Sequence, residues 1–154
     1  MYKVSLAIPI YNVSLFVERA LLSALNQTYD NIEYLIVDDK GQDDSMDIVH
    51  RIIKDHPRGK DVRIIEHPYN IGLGATRNTA IDNAQGEYLF FMDSDDEIIP
   101  TCIEILVHKM QEHPVDFIAA SHMKKDLSGK TYPTYTYSPI LIQGDDLPVA
   151  QYGY

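Results

Sequence analysis

Apolar positions along this chain follow two rhythms, one of strands and one of helices. Val4 to Pro9 is a short, continuous apolar run, which reads as a strand buried on both faces. Val17, Ala20, Leu21, Ala24 and Leu25 then recur at helical spacing, with Asn12 or Ser14 placed to cap that helix. Ile32 to Val37 predicts a second strand ending on Asp38 and Asp39, followed by the polar loop Lys40 to Asp44. A second helix opens near Ser45, carries Val49, Ile52 and Ile53 on one face, and breaks at His56-Pro57-Arg58-Gly59. Val62 to Ile65 reads as a third strand and His67 to Gly72 as a loop. Leu73 to Ala84 predicts a third helix with Leu73, Thr76, Ala80 and Ala84 along one side, ended by Gln85-Gly86. Glu87 to Met92 predicts a fourth strand that runs directly into Asp93-Ser94-Asp95-Asp96. Ile103, Leu106, Val107 and Met110 mark a fourth helix after Pro100, and Val115 to Ala120 is the candidate fifth strand. From about Lys124 the periodicity fades, and residues 128–154, rich in Tyr and Pro, predict no defined element.

Strands alternating with helices of this length predict an α/β fold, with a mainly parallel sheet and helices on both faces. Its crossovers should be right-handed. Ligands of such sheets sit beyond the carboxyl ends of the strands. The polar residues collect there: Tyr11 and Asn12, Asp38 and Asp39, Asn70, then Asp93 and Asp95. A purely structural interaction domain leaves that convergence unexplained.

Composition narrows the classes. A length of 154 residues suits one domain, and 45% hydrophobic content supplies its core. A formal charge of -10 and a pI near 4.8 set the chain against nucleic-acid phosphates, so no nucleic-acid partner is expected. The same acidity offers carboxylates for a divalent cation. Cys102 is the one cysteine, which rules out an internal disulfide or a cysteine zinc site; it reads as buried helical filler. The six histidines show no metal-ligand spacing. The opening Met1-Tyr2-Lys3-Val4 runs straight into a strand-like segment and does not read as a signal peptide, and no run approaches the roughly 20 apolar residues of a membrane span.

The sharpest chemical feature is Asp93-Ser94-Asp95-Asp96. Carboxylates one residue apart at a strand end can face one cation, and hard oxygen ligands suit Mg²⁺ or Mn²⁺, with substrate phosphates completing the shell. An isolated Asp-x-Asp is as well read as a solvated turn capping the next helix. Delivery by the apolar strand Tyr88 to Met92 favours the site. Asp38-Asp39 can accept hydrogen bonds from a base N–H or a ribose hydroxyl; alone, the pair is more simply helix capping and turn chemistry. Tyr11 can stack on a planar base, but alone it is more simply a surface turn tyrosine. Arg77 can pair with phosphate or with the metal-side carboxylates, against the simpler reading of an ordinary surface ion pair. Asn70 alone is a turn residue. Gly72-Leu73-Gly74 lacks the third glycine of a dinucleotide loop and follows the third strand rather than the first, which disfavours a dehydrogenase. A P-loop and a Gly-x-Ser-x-Gly elbow are both missing from the sequence.

As an ordered set these segments resemble the inverting family-2 glycosyltransferases of the GT-A type. The resemblance is carried by Val4 to Asn12, Leu25-Asn26-Gln27-Thr28-Tyr29, Glu33 to Asp39, Asn70-Ile71-Gly72 with Ala75-Thr76-Arg77-Asn78, and Gly86 to Asp96. It covers about residues 3–120 and implies a GT-A-type Rossmann-like sandwich. Residues 1–120 would form the nucleotide-sugar-binding core, and 121–154 the start of an acceptor-side region. The resemblance implies that Pro9, Tyr11 and Asp39 hold the nucleobase, usually uracil. Asn70 and Arg77 would line the donor site, with Asn12 and Ser94 completing the set. Asp93 would contact the ribose side and stand beside Asp95, which would bind the Mn²⁺ or Mg²⁺ bridging the donor diphosphate. An acceptor hydroxyl, helped by a carboxylate base, would then displace the nucleoside diphosphate with inversion.

The implied donor is a UDP-sugar or another nucleotide sugar. The implied acceptor is a glycan or a lipid-linked molecule, as in polysaccharide and cell-wall biosynthesis. The implied location is the cytoplasm, peripheral to the inner face of the membrane. The sequence departs from the family at Lys40, where a glycine usually follows the Asp pair; Gly41 comes one residue later. Family members also continue well past the Asp-x-Asp motif, and the general base is expected in that continuation; Asp145 and Asp146 have suitable chemistry but carry no assignment. A nucleotidyltransferase is one rival, but it would show a Gly-rich basic loop after the first strand. A donor-binding module without catalysis is the other, separated from an enzyme by donor hydrolysis or transfer.

Overall fold

Alternation within the strands sorts side chains onto the two faces of one parallel sheet. In the computed structural model, which describes residues 1–126 and 128–135, the order is β1 (Val4–Ile10), α1 (Val17–Leu25), β2 (Ile32–Asp38), α2 (Ser45–Asp55), a 3-10 turn (Pro57–Asp61), β3 (Val62–Glu66), α3 (Leu73–Asn83), β4 (Tyr88–Phe91) and α4 (Cys102–Glu112). The strands lie in the order β3-β2-β1-β4, all parallel, with Ile8 opposite Ile36 and Leu6 opposite Phe90. Leu6, Ile8, Ile10, Tyr34, Ile36 and Met92 face one side, where Val17, Leu21 and Leu25 of α1, Val49 and Ile52 of α2, and Ile103 and Val107 of α4 cover them. Each large side chain buried there contributes roughly 1.5–3 kcal/mol. Ala7, Leu35 and Val37 face the other side, against Ala80 of α3. The small Ala7–Ala80 contact lets α3 lie close to the sheet. The expected α/β sandwich, with a mainly parallel sheet and helices on both faces, is the fold observed.

Two compact units make up the chain, Met1–His113 and the part from Pro114 onward. In the second, β5 (His122–Lys125) and β6 (Thr131–Tyr135) pair antiparallel. Asp126 organises the turn between them, accepting from the backbone N–H of Ser128 and Lys130.

Three expectations need correction. Val115 to Ala120 forms no strand; Phe117 and Ile118 are exposed, and the fifth strand begins at His122 instead. That run has no alternation to bury a face, and Pro114 precedes it. Neither Asn12 nor Ser14 caps α1, whose N-cap is Phe16 without a side-chain bond. The Asn12 side chain instead accepts from Gln42 N–H at 2.7 Å, and Ser14 N–H goes to Asp43 at 2.8 Å. On α3 only Thr76 and Ala80 of the predicted stripe are buried; Leu73 is 51% exposed in the first turn, and Ala84 follows the last one. Cys102 is half-buried at the start of α4, and burial pushes its thiol up. No helix among the described residues is long and apolar enough to cross a membrane. Asp145 and Asp146 lie outside the described residues.

Candidate functional site

The chain order creates a crevice at one edge of the sheet. β1, β2 and β3 step outward in one direction, and β4 then returns to the other side of β1. The change of direction leaves the carboxyl ends of β1 and β4 uncovered between their outgoing connections. Met92 N–H, donating to Ala7 carbonyl at 3.0 Å, keeps the end of β4 alongside β1, so Asp93-Ser94-Asp95 leaves the sheet on the same edge as Tyr11 and Asn12.

Asp39 is the most heavily engaged group at this edge. It is 2% exposed. Its Oδ1 accepts from His67 Nδ1 at 2.8 Å and from Ile71 N–H at 2.9 Å. Its Oδ2 accepts from Asn70 Nδ2 and from Gly72 N–H, each at 2.9 Å. All four lone-pair directions of a carboxylate are thus used. Burial pushes this carboxyl up, but the Ile71 N–H, His67 and the Gly72 N–H outweigh it and hold it below the ordinary range. The bonds pin the connection from β3 to α3. Gly72, the N-cap of α3, has φ 90, a left-handed conformation that favours glycine.

Asp38 turns the other way. It accepts from Lys40 N–H at 2.8 Å and pairs with Lys40 Nζ at 3.2 Å; Lys40 also reaches Glu66 at 2.6 Å. Lys40 has φ 54, the conformation for which glycine is the usual choice. Ion pairs with Asp38 and Glu66 accompany this departure from the family pattern. Asn12 also has positive φ, 51, and its backbone would lie 2.8 Å from a Cβ at Gly41. Glycine at 41 therefore lets the loop after β2 close on the turn after β1. Asp43 completes the closure by binding Ser14 N–H and Ser45. Burial raises the Asp43 carboxyl, but the Ser45 hydroxyl and the Ser14 and Ser45 N–H groups bring it down to about 2.

Across the gap, Arg77 of α3 donates to Asp93 Oδ1 at 2.8 Å, in a half-exposed pair. Ser94 is buried, and its neighbour Asp95 is exposed. Among the described residues no group of three His, Cys, Asp or Glu side chains is gathered tightly enough to hold a metal alone. A donor set of one exposed carboxylate, a second beside it and ligand phosphates fits Mg²⁺ or Mn²⁺ chemistry. Local charge points the same way. Asp38, Asp39, Asp43, Asp93 and Asp95 share this edge, while Lys40 and Arg77 are committed to carboxylates. The edge therefore carries net negative charge, which a cation would offset.

Of the expected site residues, the structure links Asp39 to Asn70 and Arg77 to Asp93. Tyr11 is 47% exposed in the turn after β1 with Asn12, and Pro9 is in the last part of β1 itself. Sequence patterning missed His67, which is 6% exposed and also contacts Thr79 through Nε2 at 2.9 Å. Its position just after a strand, at the same edge as the other polar residues, was the available signal. It also missed Gln27, whose buried side chain caps α4 by accepting from Ile103 N–H at 3.0 Å. Arg58, placed only in a helix break, ties Tyr29, Asp30 and Tyr34 together.

An open parallel sheet with its polar groups gathered at a topological switch point defines a ligand-binding α/β domain of the GT-A kind. The chain belongs to Glycosyl transferase family 2, whose sequence profile matches residues 5–147. A glycosyltransferase of Haemophilus influenzae without assigned specificity is 32% identical over 151 residues, covering 95% of this chain and 59% of the relative. The UDP-Glc:alpha-D-GlcNAc-diphosphoundecaprenol beta-1,3-glucosyltransferase WfaP of Escherichia coli is 38% identical, covering 82% of this chain and 49% of that protein. This chain thus spans about half the length of these two relatives and less of others, 36% of EpsJ of Bacillus subtilis. Among solved structures, Staphylococcus aureus TarS in complex with UDP superposes with a TM-score of 0.68 at 26% identity, covering 86% of this chain and 38% of TarS. Mannosyltransferase PcManGT from Pyrobaculum calidifontis, solved with GDP-Man and Mn²⁺, shares the fold with a TM-score of 0.66 at 24% identity.

Proposed function

We propose that this chain forms the donor side of a glycosyltransferase that moves a sugar from a nucleoside diphosphate, UDP in the first place, to a hydroxyl of a glycan or lipid-linked acceptor, with inversion. The observation that carries the reading is the arrangement of Asp39 with Asn70 and of Arg77 with Asp93 around one switch-point crevice. Tyr11 supplies a stacking face for the base, with Asn12 shaping the turn and Pro9 near the end of the strand beneath it. A base N–H or ribose hydroxyl takes the place of the exposed Asn70 amide at Asp39 Oδ2, and the released Asn70 turns to the donor. Asp93 and Ser94 border the ribose, and Arg77 holds Asp93 in place. Asp95, with Asp93 beside it, would hold Mn²⁺ or Mg²⁺, which neutralises charge on the departing diphosphate when bound. The names of UDP, a UDP-sugar and a diphosphoundecaprenol-linked acceptor among the relatives and structural neighbours support this choice of donor and acceptor. The lipid-linked acceptor also supports work at the cytoplasmic face of the membrane.

Calorimetric titration of UDP into the chain tests the reading. Binding is expected with Mn²⁺ and is expected to fall at least about tenfold with EDTA or in Asp95→Ala. Equal binding with and without metal, or none by the folded chain, contradicts it. Release of free sugar from the donor would separate an enzyme from a binding module.

A further inference from the structure

His67 lies outside every motif that carried the family resemblance, yet it is buried and uses both ring nitrogens. Nδ1 meets Asp39 Oδ1 at 2.8 Å, and Nε2 meets Thr79 Oγ1 on α3 at 2.9 Å. Its own backbone N–H donates to Asp38 carbonyl at 2.9 Å, so the main chain is anchored at the residue whose ring is held at both nitrogens. The two oxygens of Asp39 are not equivalent. Oδ1 is held by buried His67 and by a backbone N–H. Oδ2 is held by a backbone N–H and by Asn70, an exposed side chain that can swing away.

We propose that His67 is a positioning residue of the nucleotide site: it anchors Asp39 through Oδ1 and so leaves Oδ2 as the side that exchanges Asn70 for a ligand donor. The inference rests on the donor-site reading above. Without the imidazole, Oδ1 keeps only the Ile71 N–H. The carboxylate can then rotate, and Oδ2 no longer points where Asn70 and the ligand compete. The same rotation slackens the tie to Ile71 and Gly72, at the entrance to α3. A simpler role is open to His67, that of fastening α3 through Thr79, and substitution chemistry separates the two. An Asn side chain carries its N–H near the position of Nδ1, and a Gln side chain near that of Nε2. His67→Asn therefore preserves the Asp39 bond, and His67→Gln the Thr79 bond. Thr79→Val removes the Nε2 partner, together with the hydroxyl's bond to Ala75 carbonyl one turn back on α3, and leaves the Asp39 bond in place.

The experiment measures two quantities on each variant: UDP affinity with Mn²⁺, and hydrogen exchange of the Ile71 and Gly72 amides without nucleotide. His67→Asn and Thr79→Val are expected to bind UDP within about threefold of the unmodified chain, with both amides protected. His67→Gln is expected to lose about tenfold or more in affinity and to expose both amides. Equal behaviour of the Asn and Gln variants, or better retention by Gln, overturns the proposal. A folded, unmodified chain that binds no UDP overturns the donor-site reading and with it His67's task at a nucleotide site. The amide pattern then still shows whether the His67–Asp39 bond holds the loop.

Discussion

Two adjacent carboxylates at the end of β2 have different tasks. Asp38, together with Glu66, pairs with Lys40, a non-glycine residue in a left-handed position. Asp39 gathers four donors from His67, Asn70, Ile71 and Gly72. Asp39→Asn replaces one acceptor oxygen with a donor that faces two donors. The expected cost is about 2–4 kcal/mol, read as a lower urea midpoint. Acid should act on the same groups. Folding holds the Asp39 carboxyl below its ordinary 3.8 and the Asp43 carboxyl at about 2. Their contribution is complete above the unfolded value and is lost as pH falls through the folded one. Urea midpoints should therefore decline from roughly pH 4 downward, and Asp43→Asn should flatten part of that slope. At this scale the positions of Asp38, Asp39 and Asp93 were legible, because charge directly after an apolar strand announces itself; the partner of Arg77, a residue inside α3, was not. His67 was not: a lone histidine gives no spacing, and its partners, Asp39 and Thr79, are 28 and 12 residues away.

Elements were predicted well where burial alone decides them. The central strands β1 and β2 follow from apolar runs buried on both faces, and the half-buried β3 and β4 and the four helices follow from shorter or one-sided apolar patterns. Helix ends were less legible, because caps can come from elsewhere in the chain. Gln27 shows this: from the residues after α1 it caps α4, and its Nε2 also donates to Ile99 carbonyl at 2.8 Å. No local pattern near residue 101 reveals it. Gln27→Ala should cost about 1–3 kcal/mol by chemical denaturation and raise amide exchange in the first turn of α4. Gly59 is a steric requirement of the break after α2. A Cβ there would lie 1.8 Å from the Ile53 carbonyl oxygen. Gly59→Ala should cost about 3 kcal/mol, and a variant as stable as the unmodified chain would refute the packing described. The misplaced fifth strand shows the opposite weakness, since an apolar run predicts burial but does not name a partner.

For the molecule as a whole, connectivity matters more than any single motif. Placing β4 beside β1 brings the ends of the first and fourth strands together, although they are far apart in sequence. Periodicity predicted the parallel sheet but could not supply the strand order, which fixes where the crevice opens. The net charge of -10 was read first as a bar to nucleic acid. At the crevice it takes on a second meaning, because on the proposed reading an acidic edge that took a diphosphate would need a cation to offset the charge. NMR spectra of the chain with UDP and Mg²⁺, followed by trace Mn²⁺, test this central claim most directly. The account predicts shifts at Tyr11, Asn70, Ile71 and Gly72, with Mn²⁺ broadening centred on Asp93 to Asp95 and dependent on UDP. Shifts confined to other parts of the chain, or broadening at Asp93 to Asp95 that is the same without UDP, would contradict it.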